Sequence, residues 1–155
     1  MGGAARNPRP QEPGRGLGSI KFRRGVIDGA YMAVAGAPVP RDDHAQAAMA
    51  LARGMIAALA EARSRFSLAL ELRIGLASGP LVGGVIGRKR ILFDLWGDTV
   101  NLASRMESSG LRGRIQVAPS TWELLRDHFT FDERAAVEVK GLGLMTTHLL
   151  AELAG

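Results

Sequence analysis

Asn101 and Arg105 stand four residues apart in DTVNLASRME, a stretch that follows the apolar run ILFDLWG. On a helix, positions i and i+4 share a face, so a carboxamide and a guanidinium would point the same way. The guanidinium is a planar fork matched to phosphate oxygens. The carboxamide can donate to or accept from a sugar oxygen or hydroxyl. Together they have the chemistry of a sugar-phosphate site. The same spacing also fits a solvated helix face with Asp98 as its N-cap, and spacing alone leaves both readings open. Asp94 sits inside the apolar strand ILFDLW. A carboxylate there faces solvent, pairs with a cation, or accepts from an amino group such as that of a purine. Lys140 closes AVEVK before the turn Gly-Leu-Gly. It is either a solvated strand end or a point charge for phosphates.

Other candidates are weaker. GPLVGGVIG is followed by no Gly-Lys-Ser/Thr, so it does not read as a nucleotide-triphosphate loop. Its glycines fit close packing of strands or subunits better. His44, His128 and His148 have no metal-ligand spacing, and no Ser-His-Asp arrangement stands out.

The elements that must position these residues follow from periodicity. Ala48, Leu51, Met55, Ile56 and Leu59 lie at helical spacing, which predicts an amphipathic helix from His44 to Arg65 with Asp42 or Asp43 as N-cap. Leu68, Leu70, Leu72, Ile74 and Leu76 alternate strictly, which predicts a strand with one buried face. GPLVGGVIG and RILFDLWG read as two strands joined by a hairpin turn at Gly87-Arg88-Lys89-Arg90. A helix from Asp98 to Ser108, ending near Gly110, carries the Asn/Arg pair. RIQVA reads as a strand. Ser120 to His128 reads as a short helix with a Ser120/Glu123 capping box. FTFDE, AVEVKG and TTHLLAEL read as three more strands. VIDGAYMAVAGAPVP is a strand ending in a turn at Pro38 and Pro40. Helices set among hairpins predict an α+β sheet.

Composition narrows the classes. The chain has 155 residues, 46 % of them hydrophobic, and no cysteine. One domain of ordinary size is expected, without disulfides or thiolate metal sites, and a cytoplasmic setting fits. No apolar run approaches the roughly 20 residues of a membrane helix. The net charge of +5 belongs to the opening residues: Arg6, Arg9, Arg15, Lys21, Arg23 and Arg24 face Glu12 alone there, and the remaining charges balance. A nucleic-acid module would carry its charge on a packed face, so no nucleic-acid partner is expected. Residues 1–19, rich in Gly, Pro and Arg, read as a disordered leader, and residues 20–155 as the domain.

FDLWGDTVNLASRMESSG resembles the signature of the class III adenylyl and guanylyl cyclases. AYMAVAG, LRIGLASGPLVGGVIG, RIQVAPSTWELL and VEVKGLG follow the family's segments in order, so the match covers roughly residues 26 to 150. The resemblance implies a ferredoxin-like α+β fold and conversion of ATP to 3′,5′-cyclic AMP and pyrophosphate. It implies Mg²⁺ or Mn²⁺ as cofactor and active sites shared across a homodimer or heterodimer. It also assigns roles. Asn101 orients the ribose, Arg105 stabilises charge on the α-phosphate, Lys140 binds the terminal phosphates, and Asp94 matches the adenine-recognising position. The chain departs from the family at its metal site. No Phe-x-Asp-Ile/Leu-x-Gly-Phe-type strand opens the domain, so a fold lacking its first strand and following helices is expected. The second metal aspartate falls on Gly29, because Ile27-Asp28-Gly29-Ala30-Tyr31 exchanges Gly and Asp. A one-residue shift turns a strand side chain to the other face, which puts Asp28 out of register. The family's substrate-selecting lysine falls on Gly25. The chain alone is therefore expected to be inactive or weak. Its alternative role is a degenerate cyclase that complements or modulates an intact partner. A third reading, a remnant without a stable fold, rests on the bare strand edge that a missing first strand would leave.

Overall fold

The structure is a computed structural model, and it describes residues 17–24, 29–86 and 92–152. In chain order these form β1 (Leu17–Arg24), β2 (Gly29–Ala35), α1 (His44–Phe66), β3 (Leu72–Gly79), β4 (Val82–Ile86), β5 (Leu92–Trp96), α2 (Asp98–Ser108), β6 (Ile115–Val117), α3 (Pro119–Leu125), β7 (Phe131–Val139) and β8 (Gly143–Leu150). Six strands make one sheet in the order β2-β1-β3-β6-β8-β7, and β4 and β5 form a separate hairpin. All neighbours are antiparallel except β3 and β6, where Ile74 lies opposite Ile115 in a parallel pair. This is the expected α+β architecture.

β3 is the centre of the packing. Ile74 and Leu76 are buried with Ala45, Ala48, Met49 and Ala52 of α1, and Ile115 and Val117 of β6 join them. The other face of β3 carries Gly75, Ala77 and Gly79, and α2 lies on it. Ala77 is buried with Ala103 and Met106 of α2. A Cβ on Gly75 would sit 2.2 Å from the backbone nitrogen of Glu107 and 2.6 Å from the Ala103 carbonyl oxygen. Only glycine lets the helix backbone lie this close to the strand.

That arrangement corrects the reading of residues 68–76 as a strand with one buried face. α1 runs to Phe66 and ends at Ser67, whose φ of 52° is left-handed. The strand starts at Leu72, and from Ile74 to Ser78 every residue is buried, because helices cover both faces. The buried stripe of α1 is also shifted towards its alanines: Leu51, expected inside, is 46 % exposed. Small side chains bring α1 nearer to the sheet than leucines would.

The expected caps are not formed. The Asp43 carboxylate lies at the N-cap of α1, but it accepts from Arg41 Nε at 2.6 Å and Nη2 at 2.8 Å instead of the helix. α3 starts at Pro119 with Ala118 as N-cap, a usual place for proline. Ser120 Oγ there donates to the Ser78 carbonyl at 2.8 Å rather than completing a box with Glu123. FTFDE and AVEVKG are one strand, β7, with a register shift between Arg134 and Val137 and a left-handed Ala136 at φ 54°. A bulge absorbs the extra residues that looked like a turn.

β1 fills the position between β2 and β3, with Ile20 opposite Ala33 on one side and Leu76 on the other. The last three residues of the segment read as leader, Leu17 to Ser19, belong to it. The β3 edge, expected to be bare in the unfolded-remnant reading, is therefore paired along its length. Residues 1–16 and the Gly87–Arg90 turn lie outside the described residues. Among the described residues no helix is long and apolar enough to cross a membrane.

His148 on β8 is buried and stacks on Trp122 of α3, with ring centroids 4.4 Å apart and planes 7° from parallel. Its Nδ1 has no partner among the described residues. Burial pushes its pKa down, against a smaller opposing pull from Glu133 and Glu123. Burial likewise lowers that of His44 on α1. A histidine with a depressed folded-state pKa binds fewer protons folded than unfolded. Its share of stability is intact above the unfolded value of about 6.5 and falls as the pH drops below it. The melting temperature should therefore be lower near pH ~5.5 than near pH ~7.5. His148→Phe, which keeps the stacked ring, should narrow that gap. A gap of unchanged width in thermal melts at both pH values would rule His148 out as a contributor.

Candidate functional site

Gly97 starts α2. With φ 122° and ψ −179° it takes a backbone conformation that other residues avoid, and it turns the chain from β5 directly into the helix. Gly97, not Asp98, is the N-cap, and its carbonyl accepts the first helical hydrogen bond from the Asn101 N–H at 3.1 Å. Asp98 instead sits in the first turn, where its charge complements the helix dipole.

The direction of the Asn/Arg pair follows from what the helix buries. Thr99, Ala103, Met106 and Glu107 face the sheet. Asn101 and Arg105 are each two residues from Ala103, or about 200° around the helix. Both therefore point away from the sheet, on one face, separated by about 6 Å along the axis. Asn101 is exposed and Arg105 half-buried. Neither side chain has a hydrogen bond or ion pair among the described residues. An asparagine and an arginine on a rigid helix, aligned and unspent, are free to bind something else.

The helix itself is fastened. Thr99 Oγ1 donates to the Pro80 carbonyl at 2.7 Å, which ties the start of α2 to the loop after β3. A Cβ on Gly79 would sit 2.6 Å from that hydroxyl, so the β3 glycine makes room for the tie. Further along, the buried Glu107 carboxylate accepts from Arg73 Nε of β3 at 3.2 Å. Of these residues, only Gly79 was singled out from the sequence, among the close-packing glycines of GPLVGGVIG. The available signal was the spacing of Gly75, Ala77 and Gly79, three small residues on one strand face.

Lys140 is exposed at the turn between β7 and β8, ahead of Gly141 with φ 80°. The preceding residue, Val139, is buried in the cluster that holds Ala103 and Met106. Lys140 thus follows a residue that packs with the sheet-facing side of α2. Asp94 lies on β5 opposite Gly84 of β4, and β5 runs straight into Gly97 and α2.

The metal-ligating candidates are not brought together. Asp28 lies outside the described residues, and Gly29 is the first residue of β2. The strands β1 and β2, LGSIKFRR and GAYMAVA, contain no carboxylate. Among the described residues no group of three His, Cys, Asp or Glu side chains could hold a metal ion. The described residues do not fit a carboxylate-held metal pair.

The outward face of α2 presents a carboxamide and a guanidinium, group types suited to a sugar and a phosphate, and among the described residues no side-chain group is placed to hold a metal ion. Sequence and structure comparisons relate the chain to known proteins. A sequence profile of the adenylate and guanylate cyclase catalytic domain matches residues 25–152. An adenylate cyclase of Mycobacterium tuberculosis is 44 % identical over 135 residues, which cover 87 % of this chain and 30 % of that protein. A membrane guanylyl cyclase of Dictyostelium discoideum is 42 % identical over 126 residues, 81 % of this chain and 8 % of the relative. The chain thus spans under a third of the length of these relatives. Among solved structures, the guanylate cyclase domain of RhGC from Catenaria anguillulae in complex with GTP superposes with a TM-score of 0.79 at 28 % identity, covering 88 % of this chain and 96 % of that one.

Proposed function

The chain belongs to the adenylate and guanylate cyclase catalytic-domain family, and on that premise we propose that it carries the ribose- and phosphate-binding half of a nucleotide cyclase site, with ATP as the nucleotide. The observation that carries this reading is the outward face of α2, where Asn101 and Arg105 are aligned, unpaired among the described residues and held on a fastened helix.

In the reaction, the ribose 3′ hydroxyl oxygen attacks the α-phosphorus and gives its proton to water, a new P–O bond forms, the bond to the bridging oxygen breaks, and pyrophosphate leaves. Negative charge shifts among the phosphate oxygens as it does so. Such a step is helped mainly by positioning and by charges already in place. Asn101 would hold the ribose so that its 3′ oxygen faces the phosphorus. Arg105, four residues on, would meet the α-phosphate oxygens with its fork. Lys140, at its turn between β7 and β8, would take the terminal phosphates as a point charge. Asp94, as a carboxylate, would accept from the exocyclic amino group of adenine, which guanine lacks at that position. The relatives include both adenylate and guanylate cyclases, so the choice of ATP rests on Asp94 alone.

No described residue of β1 or β2 is a carboxylate, and in this reading the metal aspartates come from a partner. We read the chain as inactive or weak by itself, as a homodimer or as a monomer. It becomes productive when it lends its Asn/Arg face to an intact cyclase that supplies the carboxylates. The test is a mixing experiment with ATP and Mn²⁺. The partner is an intact family member whose own asparagine and arginine have been replaced, so that only a hybrid site can turn over. Cyclic AMP from the mixture, absent from either component, would support the reading. No product despite a demonstrated complex would reject it. Product from this chain alone would reject the division of labour while leaving the Asn/Arg assignment in place.

A further inference from the structure

We propose that Gln116, Arg134 and Ser109 form a clamp on the last turn of α2 that sets the direction of Arg105, which makes Gln116 and Arg134 positioning residues. The functional consequence rests on the role of Arg105 argued above; the clamp itself rests on geometry.

Gln116 is fully buried in the middle of β6, where a carboxamide is unfavourable unless its hydrogen bonds are made. All four are. Its Nε2 donates to the Met106 carbonyl at 3.0 Å and to Ser109 Oγ at 2.8 Å. Its Oε1 accepts from Thr147 Oγ1 of β8 at 3.2 Å and from Arg134 Nη1 of β7. The same Arg134 nitrogen donates to the Ser109 carbonyl at 3.0 Å. Ser109 Oγ, which accepts from Gln116, passes its own hydrogen to the Arg105 carbonyl at 2.7 Å, and the Ser109 N–H donates there at 3.0 Å. Reversing the amide would set donor against donor at Arg134 and acceptor against acceptor at Met106, so the network admits one orientation.

The final carbonyls of a helix ordinarily have no partner within it, and the end frays. Here the carbonyls of Arg105, Met106 and Ser109 are tied, directly or through Ser109 Oγ, to side chains from β6 and β7, and β8 supports Gln116. The helix is thereby fixed about its own axis at the turn that carries Arg105. With side chains at a radius of about 6 Å, a rotation of about 10° moves a tip by about 1 Å. A misplacement of that size lowers rate by up to on the order of a hundredfold.

Three variants test this: Gln116→Leu, Arg134→Met and Arg134→Lys. The lysine ammonium carries three donors and can serve both Gln116 Oε1 and the Ser109 carbonyl, whereas methionine can serve neither. Arg134 is not fully buried, so its variants keep the test open if Gln116→Leu does not fold. Amide hydrogen exchange on the isolated chain reads the clamp without catalysis. The Ser109 and Gly110 amides should exchange about tenfold faster or more in Gln116→Leu and Arg134→Met, with α1 unchanged and Arg134→Lys like the parent. In the hybrid assay, kcat should fall about ten- to a hundredfold at near-constant KM in the same two variants, and Arg134→Lys should restore it. Parent-like kcat in both, beside an inactive Arg105→Ala control, would overturn the proposal. If Arg105→Ala is itself fully active, or the hybrid assay yields no product at all, the role given to Arg105 fails. The clamp is then judged by exchange, and unchanged Ser109 and Gly110 amides would overturn it.

Discussion

Replacing Arg105 by alanine is expected to slow cyclic AMP formation at the hybrid site about a thousandfold while leaving the melting temperature of the chain nearly unchanged. Both halves of that expectation come from the same observation. The guanidinium has no partner among the described residues, so its removal breaks no bond that holds the fold. If it faces an α-phosphate oxygen in the transition state, its removal takes away one preorganised donor, which is worth about 3–4 kcal/mol of barrier. Steady-state rates and thermal melts on the same preparations check it. A large loss of rate accompanied by a large loss of stability would mean that Arg105 is structural. A loss of less than about tenfold would mean that its charge is not aimed at the reacting phosphate.

The second large effect concerns Gly75. Its substitution by alanine is expected to destabilise the chain by about 3 kcal/mol, a fall of roughly 6–12 °C in melting temperature for a chain of this size. An added Cβ would meet backbone atoms of α2 at 2.2 and 2.6 Å, and backbone cannot swing aside as a long side chain can. Either α2 lifts from β3 or the strand gives way. Lifting would also disturb Asn101 and Arg105, so any folded residue of the variant should lose hybrid activity beyond its loss of stability. Gly54→Ala is the control, because nothing lies within 4 Å of a Cβ there. In a helix interior it should stabilise slightly. A Gly75→Ala chain that melts like the parent would show that the strand and helix are not packed as described.

The contrast between these glycines explains what was legible in the sequence. The span of α2, Asp98 to Ser108, was readable with the Asn/Arg pair placed by period, but its cap was misassigned to Asp98 where Gly97 stands. α1 was readable because apolar residues recur at helical spacing from Ala48 to Leu59. The second face of β3 was not. Glycine and alanine carry little apolar surface and look like the gaps in an alternating strand, yet here they are the contact surface of a helix. The Ser120/Glu123 box failed for a related reason. A local pattern predicts a local bond, but Ser120 found the Ser78 carbonyl 42 residues away. The bulge in β7 reads as a turn until β8 is laid beside it. β1 was hidden by composition: Gly and Arg mask a strand that both neighbours pin in register. Of the site, the residue types and their common face were legible, and the ties that aim them were not.

The parallel pairing of β3 with β6 has a consequence for how the chain folds. Between the two strands lie β4, β5 and the whole of α2, so the site-bearing helix is the crossover that joins the central strands. The β1–β2 and β7–β8 pairs join strands close in sequence and can zip within microseconds. The join between them has to await a loop closure of some forty residues, a contact of high sequence separation and therefore slow. The β3–β6 join and the assembly of the binding face are then one event. A populated species that has its hairpins but not its crossover would expose the inner edges of both halves and carry no site. Refolding followed by far-ultraviolet signal and by nucleotide-dependent signal should accordingly converge on the same slow phase.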